Sequence, residues 1–221
     1  MLRALLIDFD GTILDTEDAE YRTWQEVYER YGQVLDLETW ATVVGTSGGS
    51  FDPVAHLEHL TDRALPHRDI RRRRRERDLA LTGAMDARPG VRSLVAQAQG
   101  EGIALAIASS SRHEWIEGHL RRLGLLKAFQ VISCSDDTGR GKPDPAVYLL
   151  ALQRLGIRAA EAVAIEDSPN GALAASRAGV ACLVVPNAVT ANFEFPPVRA
   201  MRQSLEGVTL AEIVALLAAD A

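Results

Sequence analysis

The sequence predicts an α/β protein: a doubly wound parallel sheet with a helical segment inserted after its first strand. Two observations predict it. From about residue 89 onward, short apolar runs of strand length alternate with stretches of helical periodicity, the pattern of a parallel sheet covered on both faces. The run 4–9 has the same buried character, but it is separated from that alternation by residues whose apolar positions recur at helical spacing.

Taken in order, 4–9 reads as the first strand. The segment 16–87 follows as a helical unit, with Trp24, Val27, Tyr28 and Tyr31 and then Val54, Leu57 and Leu60 on its apolar faces and a Gly-rich loop at 45–49. Beyond it come a helix at 91–99, a strand at 103–108, a helix at 114–123 and a strand at 131–133. A helix at 146–155, a strand at 162–165, a helix at 172–178, a strand at 182–185 and a closing helix at 210–217 complete the alternation. The expected division is a core of 1–15 and 88–221 and a helical insertion of 16–87.

A chain of 221 residues makes one domain or two small ones. With 47% hydrophobic and 24% charged residues it falls in the globular range. No apolar run approaches the ~18 residues of a membrane span or a secretory signal, so the expected location is cytoplasmic. The net charge of -6 sets the general field against nucleic acid and anionic membranes. Cys134 and Cys182 form no CxxC pair and read as two packed thiols. Of the 24 basic residues only Lys127 and Lys142 are lysines, so each compact ammonium stands out among guanidiniums.

In open α/β sheets, sites lie beyond the carboxyl ends of the strands, so polar residues that directly follow apolar runs are the candidates. After Leu5-Leu6-Ile7 come Asp8 and Asp10, which strand alternation puts on one face. Two adjacent carboxylates repel unless a cation or a proton intervenes, although Asp-Gly also suits a plain turn. After 103–108 come Ser109, Ser110 and Ser111 at a helix start, where free N–H groups favour an anion. Ser111-Arg112-His113-Glu114 fits a capping box, which would account for Ser111 and leave Ser109 as the better binding candidate. After Val163-Ala164-Ile165 come Glu166 and Asp167, oxygen ligands for a hard divalent cation, with Ser168 and Pro169 explained as a helix cap and first turn. Lys142 sits in Gly141-Lys142-Pro143-Asp144-Pro145, just before another helix start.

These four segments resemble, in order, the four motifs of the haloacid dehalogenase superfamily of phosphatases and phosphomutases. The matching residues are Asp8-Phe9-Asp10-Gly11-Thr12, Ser109, Lys142 and Glu166-Asp167, and the core they span covers most of the chain. The insertion resembles the helical cap of the β-phosphoglucomutase-like subgroup. The resemblance implies that Asp8 attacks phosphorus to form an aspartyl phosphate, while Asp10 protonates the leaving oxygen and then deprotonates water. It implies a Mg²⁺ held by Asp8, the Asp10 carbonyl oxygen and Asp167, with Glu166 in or near its shell. Lys142 supplies a further positive charge and Ser109 a phosphoryl contact, with Gly11, Thr12, Glu17, Ser110 and Asn170 around the substrate. A carboxylate facing a phosphate dianion is repelled by roughly 4 kcal/mol per charge pair at 4 Å and an effective dielectric near 20, so the cations are needed.

Asp10 argues against dehalogenation, since a halide leaves without a proton, and a cap without lysine argues against the Schiff-base phosphonate hydrolases. The mutases of the subgroup carry a His where this chain has Glu20, and an Arg in the loop that here reads 45–50 without one. Hydrolysis of a small organic phosphate such as a sugar phosphate is therefore expected, by a monomer with no nucleic-acid or membrane partner. A β-phosphoglucomutase-type mutase and a non-catalytic phosphate-binding module are the alternatives. The arginines 71–75 either form a solvated helix paired with Asp69, Glu76 and Asp78, or supply an anion grip from the cap. His56 and His59 lack a third metal ligand, His113 lies either near the pocket or on the surface, and Trp24 reads as packing.

Overall fold

The computed structural model describes residues 1–41 and 51–217, so the loop 45–50 lies outside the described residues. In chain order the elements are β1 (Ala4–Ile7), α1 (Thr16–Arg30), α2 (Leu37–Ala41), α3 (Pro53–Thr61), α4 (His67–Ala84), α5 (Val91–Gly100), β2 (Ala104–Ala108), α6 (His113–Arg122), β3 (Val131–Ser133) and α7 (Ser135–Thr138). They continue with α8 (Ala146–Leu155), β4 (Ala162–Glu166), α9 (Pro169–Arg177), β5 (Ala181–Val184), β6 (Ala200–Met201) and α10 (Leu210–Ala215). Six strands form one sheet in the order β3-β2-β1-β4-β5-β6, and every pairing is parallel. The strand order reverses between β1 and β4, which puts a crevice beyond their carboxyl ends.

Strand alternation divides the core. Leu5 and Ile7 of β1 and Leu105 and Ile107 of β2 face α5, α6 and α10, through residues such as Leu94, Ile116, Leu120 and Ile213. Ala4, Leu6, Ala106, Ala108, Ala162 and Ala164 face α8 and α9, which answer with Val147, Tyr148, Ala151, Ala172 and Ala175. Alanine on both sides of this second layer lets backbones approach closely, and that closeness seats Tyr148 beneath the strand ends.

Helices α1 to α4 pack around their own cluster of Trp24, Val27, Tyr28, Leu35, Trp40, Val54, Leu57 and Ile70. The Tyr28 hydroxyl donates to the Pro53 carbonyl at 2.8 Å and lies 2.9 Å from His56 Nδ1, joining α1 to α3 and giving His56 a packing role. Asp52 caps α3 by accepting from the Val54 and Ala55 amides. Leu60, read from sequence as part of the buried face, is 40% exposed.

Other differences are at the edges. The strand read as 4–9 ends at Ile7, although the Asp8 amide still donates to Ile165 across the sheet, because the chain turns back over residues 10–14. Helix α9 begins at Pro169, three residues before the segment read from sequence, with Ser168 as its cap. The short α2, α7 and β6 carry too few residues for a periodic signal. Cys134 and Cys182 are buried free thiols, and among the described residues no helix is long and apolar enough to cross a membrane.

Candidate active site

Asp8 follows β1, Glu166 ends β4 and Asp167 comes next, so the three carboxylates flank the strand-order reversal. Asp8 is 5% exposed, Asp167 2% and Glu166 0%. Lys142, itself buried, places Nζ 2.6 Å from Glu166 Oε1 and in direct contact with Asp8 Oδ1. The Tyr148 hydroxyl donates to Glu166 Oε1 from below. Burial opposes the Lys142 charge, but the Asp8 and Glu166 carboxylates outweigh it and hold the ammonium above its ordinary range. For Asp8, burial pushes the carboxyl up to about 7, with the charges of Glu166 and Asp10 adding to it and Lys142 opposing. Burial and the neighbouring Asp8 and Glu166 charges also raise Asp167 well above the carboxylate range.

This set fits a divalent cation. Asp8 Oδ2 and Glu166 Oε2 are buried without any hydrogen-bond partner. Ligand oxygens of Asp8, Glu166 and Asp167 lie within 4.8 Å of one another. Hard cations take such oxygens, and a positive charge there would offset both the burial and the mutual repulsion of these carboxylates. Asp167 is oriented by Asn187 Nδ2, which donates to Oδ2 at 2.7 Å, while Asn187 Oδ1 accepts from the Val189 and Thr190 amides. Arg88 fixes the loop behind it through the carbonyls of Gly11, Val185 and Pro186.

Asp10 is held apart from this group by three donors. Thr16 Oγ1 donates to Oδ1 at 2.9 Å, Trp115 Nε1 donates to Oδ1 at 2.8 Å, and Ser111 Oγ donates to Oδ2 at 2.6 Å. The capping-box reading of Ser111 is thereby overturned. Helix α6 starts one residue later than that box requires, with Arg112 as the flanking residue and no side-chain cap, because the Ser111 hydroxyl is committed to Asp10. Ser109 Oγ accepts from the Ser111 amide at 3.0 Å, and Ser110 Oγ accepts from the Lys142 amide at 2.9 Å, so the serine turn and the lysine loop hold each other.

A cavity of about 540 Å³ opens over these groups, large enough for a small ligand. Asp8, Asp10, Ser109, Ser110, Lys142, Asp167 and Asn170 line it from the sheet side, and Glu17, Glu20, Trp40, Arg75 and Asp78 from the helical layer. Gly11 and Thr12, expected beside the substrate, both touch Asp167: the Thr12 hydroxyl points to Asp167 Oδ1 at 3.5 Å, and Gly11 packs against its Oδ2. Among the described residues Glu17 makes no hydrogen bond or ion pair, and burial together with Glu20, Asp10 and Asp8 pushes its carboxyl up to about 8.

The arginine run divides between the two readings. Arg71 pairs with Asp52, and Arg72 with Asp69 and Glu76, on the outer face. Arg74 turns inward to Glu20 at 3.0 Å with its guanidinium over Trp24, and Arg75 lies over the Trp115 ring while lining the cavity. His113 bonds Asp137 at 2.8 Å and does not line the cavity. Thr16, Trp115, Tyr148 and Asn187 carry no sequence signal for this site, whereas Ser111 stands directly after a strand among the candidates and reads locally as a cap.

The family model described as haloacid dehalogenase-like hydrolase matches residues 5–185. The chain is 45% identical over 195 residues, 88% of each chain, to the Bacillus subtilis (strain 168) protein named "Putative phosphatase YhcW". It is 31% identical over 179 residues to the "Phosphorylated carbohydrates phosphatase" of Thermotoga maritima, covering 81% of this chain and 82% of that one. The crystal structure of CbbY from Rhodobacter sphaeroides in complex with xylulose-(1,5)bisphosphate superimposes with a TM-score of 0.73 at 33% identity, covering 94% of this chain and 96% of that one. The chain belongs to the haloacid dehalogenase-like hydrolase family. Its enzymatic class is that of a phosphoric monoester hydrolase.

Proposed function

We propose that the protein hydrolyses the phosphate monoester of a small carbohydrate through an aspartyl phosphate on Asp8, with Mg²⁺ as cofactor. The observation that carries this reading is the convergence of Asp8, Lys142, Glu166 and Asp167 at the strand-order reversal, with Asp10 alongside and a cavity above. Asp8 Oδ2 has no partner, which suits a nucleophile and metal ligand.

Asp8 attacks phosphorus in line, and Asp10 gives a proton to the departing ester oxygen. Lys142 and Ser109 hold phosphoryl oxygens as charge redistributes, and Asp10 then takes a proton from the water that cleaves the phosphoaspartate. Asp8, the Asp10 carbonyl, Asp167 and the adjoining Glu166 would hold Mg²⁺, which when bound offsets the repulsion between carboxylate and phosphate dianion. Tyr148 and Lys142 orient Glu166, and Asn187 orients Asp167, so the ligands are set before substrate arrives.

The substrate class rests on the wall opposite the phosphate. Residues 16–87 act as a cap over a core of 1–15 and 88–221, and its Glu17 offers sugar hydroxyls a carboxyl group that has no other partner among the described residues. The names of the Thermotoga relative and of the CbbY complex point to the same class. Glu20, paired with Arg74 where the mutases carry a histidine, supports hydrolysis over phosphoryl return.

Phosphate release from a panel of sugar and other small phosphates tests the reading. Release with Mg²⁺ that disappears with EDTA and in Asp8→Asn is expected. No release from any substrate, or equal release by Asp8→Asn, would overturn it.

A further inference from the structure

The three donors that hold Asp10 are chemically unlike. A hydroxyl donates or accepts, but an indole N–H has a proton to give and no lone pair to offer. Oδ1 of Asp10 receives Trp115 Nε1 and Thr16 Oγ1, whereas Oδ2 receives only the Ser111 hydroxyl. A proton on Oδ1 would face a donor that cannot turn round. A proton on Oδ2 meets a hydroxyl that rotates to accept it.

Trp115 is itself fixed. Its ring packs edge-on against His119 with centroids 4.3 Å apart, inside α6. From the helical layer, the Arg75 guanidinium lies 5.3 Å from the ring centroid. An aromatic side chain has only two torsions, so contacts on both sides carry its N–H to one point in space. The same indole therefore joins Asp10 to α4 of the cap.

Resting on the reading of Asp10 as general acid and base, we propose that Trp115 is a positioning residue for the reaction: its indole N–H fixes Oδ1 of Asp10 as an acceptor and makes Oδ2 the oxygen that carries the transferred proton. In the first half-reaction the Oδ2–H bond breaks and its proton goes to the ester oxygen as that oxygen leaves phosphorus. In the second, Oδ2 takes a proton from water as the water oxygen bonds to phosphorus and the bond from phosphorus to Asp8 breaks. Ser111 serves Oδ2 in both states: its hydroxyl accepts the Oδ2 proton until the ester oxygen is in place to take it, and donates once the proton has gone.

Trp115→Phe keeps a ring for Arg75 and His119 and removes the N–H. On the best sugar phosphate of the panel, kcat should fall about tenfold to a hundredfold, part of the full effect of an acid–base group. A packing role would leave kcat alone, and a substrate contact would raise KM, which should instead stay within about twofold. With p-nitrophenyl phosphate, whose leaving group departs without a proton, the variant should keep its initial burst of nitrophenolate and lose steady-state rate, because only the second half-reaction then needs Asp10. Unchanged kcat in Trp115→Phe beside an active wild type overturns this proposal alone. A wild type inactive on every phosphate overturns the reading of the reaction instead. Should Trp115→Phe fail to fold, the Trp115 indole N–H resonance, assigned against Trp24→Phe and Trp40→Phe, decides: it should move in Asp10→Ala, and an unmoved resonance overturns the contact.

Discussion

Gly171 presses its backbone against the carboxylate of Glu166, where a Cβ would stand 1.9 Å from Oε2 and 2.1 Å from the carboxyl carbon. Glu166 ends β4 and Gly171 lies in the first turn of α9, so the close approach of helix to sheet is what keeps Glu166 in place. Gly171→Ala should cost about 1–3 kcal/mol through overpacking, read by urea denaturation. It should also weaken Mg²⁺ binding in calorimetry, since Glu166 must move; wild-type affinity in the variant would place Glu166 outside the metal's reach.

Lys142 neutralises a buried pair of carboxylates, so its removal leaves Asp8 and Glu166 without their cation. Lys142→Met should lose about 3–5 kcal/mol of stability at pH 8 in EDTA, the cost of stranding buried charge. The loss should shrink at pH 5, where Asp8, already pushed up to about 7 by burial, holds a proton. Saturating Mg²⁺ should raise the melting temperature of the variant more than that of the wild type. Thermal melts with and without Mg²⁺ at the two pH values check both expectations.

The residues of the site differ widely in how far the sequence announces them. Asp8, Lys142, Glu166 and Asp167 stand directly after apolar runs or in short signature segments, and a parallel sheet brings such positions together whatever the intervening loops do. The strand and helix alternation of the core was legible for the same reason, since burial on both faces leaves a continuous apolar run. Ser111 was misassigned because a capping box is a local pattern, and a hydroxyl given to Asp10 across 101 positions of chain leaves no local mark. Trp115, Tyr148 and Asn187 are long-range partners with no fixed spacing to the motifs they serve. Gly11 and Thr12 also pack against Asp167, a contact that motif proximity alone does not announce.

Asp137 gathers Arg154 at 2.7 Å, the Cys134 amide at 2.9 Å and His113 at 2.8 Å, tying α7 to α6 and α8. Burial alone would raise its carboxyl, but these donors outweigh it and lower it to about 2. A folded value below the unfolded one means that this stability is complete above about pH 4 and is lost as pH falls toward 2. Asp137→Asn should therefore be less stable by about 1 kcal/mol at pH 7, because solvent screens the ion pairs of this exposed residue, with the gap narrowing below pH 4. Urea titrations across that range should show the two curves converging; a gap independent of pH would assign the effect to packing.

Glu17 lines the cavity from α1. Glu17→Gln should raise KM for the preferred sugar phosphate about fivefold to tenfold, the worth of a hydrogen bond to a hydroxyl. It should leave p-nitrophenyl phosphate, which has no hydroxyls to offer, nearly unchanged. Equal effects on both substrates would remove Glu17 from sugar recognition.

The central claim is a phosphoryl group carried on Asp8. Rapid acid quench of the Mg²⁺-loaded protein during turnover, followed by peptide mass spectrometry, tests it most directly. A phosphoryl adduct is expected on the peptide containing Asp8, absent in Asp8→Asn and more abundant when the water-activating Asp10 is replaced by Asn with an aryl phosphate as substrate. Phosphate release without any adduct on that peptide, in the wild type and in Asp10→Asn alike, would contradict it.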